Sequence, residues 1–214
     1  MLYFAYAGRS IKFVPDDGSS AAVPCSVVNS MRRLVYVSGS PGAGKTSLAG
    51  PLAAELGYAL LTKDLIKETL HDALGAPEPD LAWSRKLGGA AMELLWTLAA
   101  RSADVLIEAN FRPHSDYERA KLSALGGYPV EVHCACPAEL AAARYRTRSR
   151  HPVHHMAHTS AESLAEWDVP VGIGTLITVD TAIPVDLAAV AAQVRRHHAP
   201  RETARPRDRG ERRP

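Results

Sequence analysis

Long hydrophobic runs are missing from this 214-residue chain. None approaches the roughly 18–20 apolar residues that a membrane helix needs, and the opening MLYFAYAGRSIK lacks a signal peptide's order of basic, apolar and cleavable regions. Neither a membrane partner nor export is expected. Cysteine is scarce: Cys25, Cys134 and Cys136 form an odd set with one C-x-C pair, which fits neither a disulfide framework nor a zinc knuckle and points to the cytoplasm. Aromatic residues are 6% of the chain, and no basic–aromatic stripe suited to gripping single strands runs through its middle. The formal charge is only +2, with the basic excess gathered from Arg195 to Pro214, so nucleic acid is not the favoured partner.

What is present is an ordinary globular composition, 46% apolar and 22% charged, at a length that one domain can fill. Residues 1–30 hold Pro15-Asp16-Asp17-Gly18 and a Ser/Ala run, and read as a short strand-like piece and a polar loop, a poorly ordered N-terminal extension. Met31 looks like an alternative start. The domain is expected over 31–199, and 200–214, with almost nothing apolar, as a disordered basic tail.

Apolar runs at Leu34–Ser38, Tyr58–Leu61, Val105–Glu108, Val130–Cys134 and Thr175–Val179 read as five strands. Helix-period segments begin near Lys45, Lys63, Pro79, Pro113, Pro137 and Pro184, several with proline in the first turn. Strand and helix in alternation predict an α/β fold, a three-layer sandwich around a five-stranded parallel sheet.

Gly39-Ser40-Pro41-Gly42-Ala43-Gly44-Lys45-Thr46 satisfies every fixed position of G-x-x-x-x-G-K-[ST], directly after a strand and before a helix. In such a P-loop the glycines let backbone N–H groups turn onto phosphate oxygens and the helix start, here with Ser47, adds its positive end. Lys45 reaches the β/γ-phosphates and Thr46 ligates Mg2+. ATP and Mg2+ are therefore the expected cofactors. An [NT]-K-x-D guanine element is not supplied, because Thr62-Lys63-Asp64 sets its aspartate one position early.

Open α/β sheets bind ligands beyond the carboxyl ends of their strands. Asp64 follows the second strand, where a carboxylate is placed either to take an acceptor hydroxyl's proton or to cap a helix, and Lys67 lies one turn on. Glu108 ends the third strand at the Walker B position, as a ligand of metal water or an acceptor contact, with Asn110 and Arg112 on the following loop. Arg144, Arg148 and Arg150 crowd the end of a later helix, as in a lid that closes cations on a moving phosphoryl group. The histidines from His151 to His158 are read as part of a solvated or lid loop before a zinc site. An acceptor pocket is expected along Leu74–Leu95, with Trp83 and Gly88-Gly89.

These residues resemble the small P-loop kinases that include chloramphenicol phosphotransferase, the kinase domain of polynucleotide kinase and related kinases labelled AAA-family ATPases. The resemblance covers roughly residues 32–192 and rests on the loop Gly39–Thr46, on Asp64 with Lys67, on Glu108-Ala109-Asn110 and on the arginine-rich lid. It implies the strand order 2-3-1-4-5, Asp64 as base and lid arginines such as Arg144 and Arg148 as phosphate clamps. Lysine at 67 and glutamate at 108 stand where those kinases often have arginine and aspartate, which leaves the acceptor open. The expectation is phosphorylation of a hydroxyl on a small molecule such as an antibiotic, sugar or nucleoside-like compound. The alternatives are a polynucleotide 5′-hydroxyl kinase and an ATP-binding module without transfer.

Overall fold

A computed structural model describes residues 5–6, 9–10, 32–75, 81–154 and 161–198. Five strands form one sheet: β1 Arg33–Ser38, β2 Ala59–Thr62, β3 Asp104–Glu108, β4 Tyr128–Ala135 and β5 Thr175–Asp180. Their order is β2-β3-β1-β4-β5, and every pairing is parallel. Register aligns Val37 and Thr62 with Glu108, and Ser38 with His133, so the strands end together along one edge. The predicted α/β class and strand order are those observed.

β1 is the central strand and is apolar on both sides because both sides are covered. Val35 and Val37 pack with Leu48 and Leu52 of α1 (Lys45–Leu56) and with Val190 and Val194 of α7 (Leu187–His198). Leu34 and Tyr36 face Leu95 and Trp96 of α3 (Leu81–Ala99) and Leu122 of α4 (Asp116–Leu125). α2 (Lys63–Leu74) packs on α3, α5 is Ala138–Thr147, and a short α6, Ala161–Ala165, was not foreseen. Arg32, nearly fully buried, donates to the carbonyls of Ala100 and Leu125, placing a cation at the carboxyl ends of α3 and α4.

Two buried anchors set the loops at the carboxyl edge. Phe111 packs edge-on against Tyr36, ring centroids 5.7 Å apart, and beside Trp96 at 5.8 Å, so Asn110 and Arg112 on either side of it are turned outward. Glu131, 1% exposed on β4, accepts from Tyr36 OH at 2.9 Å, Ser38 Oγ at 2.6 Å and the amides of Val171 at 2.7 Å and Gly172 at 2.8 Å. A buried carboxylate is tolerated only with such donors, and here it ties the 166–174 connection to the sheet.

The prolines do not sit inside the first turns as predicted. Pro113 and Pro184 precede α4 and α7, and Pro137 is the residue before α5. α4 starts instead at the N-cap Ser115, whose hydroxyl accepts from the Glu118 amide. Ala5–Tyr6 and Arg9–Ser10 form a separate antiparallel ladder; the other expectations for 1–30, those for 200–214, and Pro79 lie outside the described residues. Among the described residues no helix is long and apolar enough to cross a membrane.

Candidate active site

The phosphate loop leaves β1 at Gly39 and enters α1 at Lys45. Gly39 and Gly42 have φ of 127° and 87°, and a Cβ on them would lie 2.6 Å from the Cys134 carbonyl oxygen and 2.1 Å from that of Ala141. Only glycine lets the loop lie this close to β4 and α5. Lys45 is buried, and its Nζ donates to the carbonyls of Gly39 at 2.9 Å and Ser40 at 2.8 Å. Burial lowers its pKa from the ordinary lysine value, and the Glu108 carboxylate opposes that shift. The Ser40 hydroxyl is buried in the same loop without a protein partner.

A cavity of 410 Å³ opens over this loop. It is lined by Lys45 and Thr46, by the carboxylates Asp64 and Glu108, and by the loop residue Asn110. Arg144, Arg148 and Arg150 close it from the side of α5. Four elements that are far apart in sequence, α1, α2, β3 and α5, thus place their predicted residues in one space. Glu108 is buried at the end of β3; burial raises its pKa, Lys45 lowers it, and its Oε1 accepts from Thr46 Oγ1 at 3.5 Å.

Asp64 lies within the first turn of α2, whose N-cap position is held by Thr62. The capping alternative for Asp64 therefore does not describe its place; its Oδ1 instead meets Lys63 Nζ at 3.2 Å. Burial acts to raise Asp64, but the charges of Lys63, His154 and Arg148 outweigh it, and the carboxyl lies below the ordinary value of 3.8. It is a carboxylate at neutral pH, and a weak base.

The lid cations are held from two sides. Arg144 Nη1 donates to the Thr181 carbonyl at 3.0 Å, while Arg150 lies over the Tyr145 ring, 3.9 Å from its centroid. Beyond them the chain is tied to α2. His151 Nε2 meets Asp72 at 3.1 Å and His154 Nε2 meets Glu68 at 2.9 Å. The Val153 carbonyl accepts from Ser84 Oγ at 2.7 Å and Lys67 Nζ at 3.3 Å. His71, Asp72 and His151 lie close enough for a metal. However, His151 Nδ1 accepts from the Val153 amide, so its proton sits on the nitrogen that would ligate. His155 and His158 lie outside the described residues.

Lys67, read as a substrate contact, is buried and spent on Ser84, at 2.7 Å, and Val153. It still lines a second cavity of 770 Å³, with Asn110, Arg112 and the Gly88-Gly89 pair of α3. Asn110 lines both cavities and marks where they meet. Trp83 is not on this wall; Trp167, from the connection that Glu131 ties down, is.

A third cavity of 510 Å³ escaped the sequence reading altogether. Pro51, Thr181, Ile183, Val185 and Leu187 line it beside Ser47 and Arg144. Thr181 binds it to the loop, donating to the Ala43 carbonyl at 2.6 Å. The available signal was Pro51, a proline inside a helix, which takes a donor out of the ladder.

The family described as AAA domain matches residues 34–168. The chain belongs to the AAA domain family. This AAA domain is also similar to the solved structure of a candidate kinase from Chloroflexus aurantiacus: 30% identity over 78% of this chain and 98% of that one, with a TM-score of 0.69. Looser matches are a sugar kinase from Janibacter sp. (23% identity, 76% of this chain and 90% of that one, TM-score 0.47) and the shikimate kinase of Acinetobacter baumannii in complex with shikimate (20%, 81% and 96%, 0.49). No curated protein matches the chain. The AAA domain and its phosphate loop carry the fold of the small P-loop kinases, as the sequence resemblance implied.

Proposed function

We propose that the protein is an ATP-dependent phosphotransferase acting on a hydroxyl group of a small molecule. The observation that carries this reading is the meeting of Lys45, Asp64, Glu108 and Arg148 in one cavity that shares the lining residue Asn110 with a second one large enough for an acceptor. The site fits Mg-ATP: a loop that turns at positive φ on Gly39 and Gly42, an orphaned Ser40 hydroxyl and a buried lysine.

Mg-ATP, when bound, supplies the transferable phosphoryl group and a divalent charge on its oxygens. The loop Gly39–Ser47 holds the phosphates through backbone N–H groups and the start of α1, and Lys45 adds a cation. Thr46 and Glu108 are the residues that would hold the metal, directly or through its water. Pro51, Thr181, Ile183, Val185 and Leu187 give the nucleoside end a mostly apolar wall.

Asp64 orients the acceptor hydroxyl. It takes the proton as the new oxygen–phosphorus bond forms and the bond to ADP breaks. Its lowered pKa suits orientation better than strong base catalysis, and a loose transition state asks for little more. Arg144 and Arg148 stand where charge spreads over the phosphoryl oxygens.

An acceptor screen with labelled ATP tests the reading. Label transferred to an alcohol supports it; free phosphate alone, whatever the acceptor, counts against it.

A further inference from the structure

Gly88 and Gly89 stand together in the middle of the 19-residue α3, where glycine disfavours helix more than any residue but proline. Among the described residues no packing asks for them. A Cβ on Gly89 would meet nothing within 4 Å, and one on Gly88 would meet only Lys67 Cε at 4.0 Å. Both line the 770 Å³ cavity, so the space they leave is space within it.

The wall of that cavity carries positive charge to spare. Arg85 and Arg112 are exposed on it, and neither guanidinium has a hydrogen bond or ion pair among the described residues. Among the described residues Lys67 bonds to a hydroxyl and a carbonyl, and to no carboxylate. The two carboxylates there have hydrogen-bond partners other than the two guanidinium groups. Glu93 takes Tyr117 OH and Lys121 Nζ, and Glu118 takes the Arg112 amide, with the Arg112 charge acting on it from a distance. Lys63, also on the wall, is paired with Asp64. A neutral molecule would offer the guanidinium groups of Arg85 and Arg112 no charged hydrogen-bond partner, whereas an anion would give their planar donors a two-oxygen partner.

We propose that this cavity is the acceptor site and that the acceptor is a small anionic hydroxy compound. Its carboxylate or phosphate is held by Arg85 and Arg112, its body lies over Gly88-Gly89, and its hydroxyl is presented at Asn110. The direction of the hydroxyl rests on the phosphotransferase reading; the anion site does not.

The test is calorimetric titration of the full chain, with a non-hydrolysable ATP analogue occupying the phosphate loop. The probes are the matched pairs D-gluconate with D-glucitol and glycerol 3-phosphate with glycerol. The anion of at least one pair is expected to bind at least about tenfold more tightly than its neutral partner, and Arg85→Ala and Arg112→Ala should each remove about tenfold, as the loss of a charged hydrogen bond does. Both substitutions should leave the affinity for the ATP analogue unchanged, and Gly89→Leu should block the anion. Which pair responds distinguishes carboxylate from phosphate. Equal binding of charged and neutral partners, no binding by either pair, or anion binding indifferent to both arginines overturns the proposal. Arginine-dependent anion binding without phosphate transfer would keep the site and remove the kinase reading; transfer to neutral alcohols alone would do the reverse.

Discussion

Thr46 and Glu108 meet across the carboxyl edge of the sheet, the hydroxyl at the start of α1 donating to the carboxylate at the end of β3 at 3.5 Å. Glu108 is longer than the usual aspartate by one methylene, and that reach brings it to the residue expected to ligate Mg2+.

Glu108→Gln should therefore act on metal before substrate. The Mg2+ concentration for half-maximal activity is expected to rise by about 10–100-fold, the usual loss when a supporting group of a metal site is removed. The acceptor KM should change little. Mg2+ titration of initial rates checks this, and an unchanged requirement would detach Glu108 from the metal.

Asp64→Asn should keep nucleotide affinity and lower transfer by about 10²–10⁴-fold, towards the low end because the transition state is loose. The sign of its pH dependence follows from a pKa below 3.8. The ionised form, and any stability it contributes, persists at neutral pH and is lost only as pH falls through that depressed value. Asp64 thus gives no acid limb between about pH 5 and 8. A limb there that disappears in Asp64→Asn would contradict the assignment.

Lys67 and Ser84 hold the Val153 carbonyl, and through it the segment that follows Arg148 and Arg150. Ser84→Ala should lower kcat, by up to about 100-fold if the arginines shift by an ångström, with the acceptor KM little changed. Ser84→Thr should restore it. In Lys67→Met, a raised acceptor KM at unchanged kcat would return Lys67 to the substrate contact that its place after Asp64 suggests.

Gly89→Ala should stabilise the protein, by about 1 kcal/mol from helix propensity, which is a Tm rise of roughly 2–4 °C at this size. Thermal melts of the apo protein check it. A fall in Tm would mean that Gly89 answers a packing demand after all.

Glu131→Gln should destabilise, because an amide turns a donor towards the donors of Tyr36, Ser38, Val171 and Gly172. The expected cost is roughly 1–3 kcal/mol, read as a lowered Tm. A Tm equal to wild type would show that the connection does not depend on the carboxylate.

Local pattern carried much of this. β1 and the phosphate loop are contiguous in the chain, so Gly39, Lys45 and Thr46 announce their own geometry. Asp64, Glu108 and Arg148 were legible because each ends or closely follows a strand or a helix on the ligand-binding edge. Other features required tertiary structure. Thr181 and Ile183 form a wall only once β5 lies beside β4. Lys67 looks free in sequence, and only the packing of α2 on α3 brings Ser84 and Val153 to it. Pro113 and Pro184 misled by three residues and Pro137 by one, because Ser115, not Pro113, caps α4 and the other two helices start at Leu187 and Ala138.

Phosphoryl transfer at the phosphate loop depends on the Lys45 cation, which Lys45→Ala removes. The wild-type protein should move label from ATP to a hydroxylated acceptor, and the variant, with its Tm preserved, should bind the acceptor yet transfer none. A folded Lys45→Ala protein that transfers label at the wild-type rate would contradict the account.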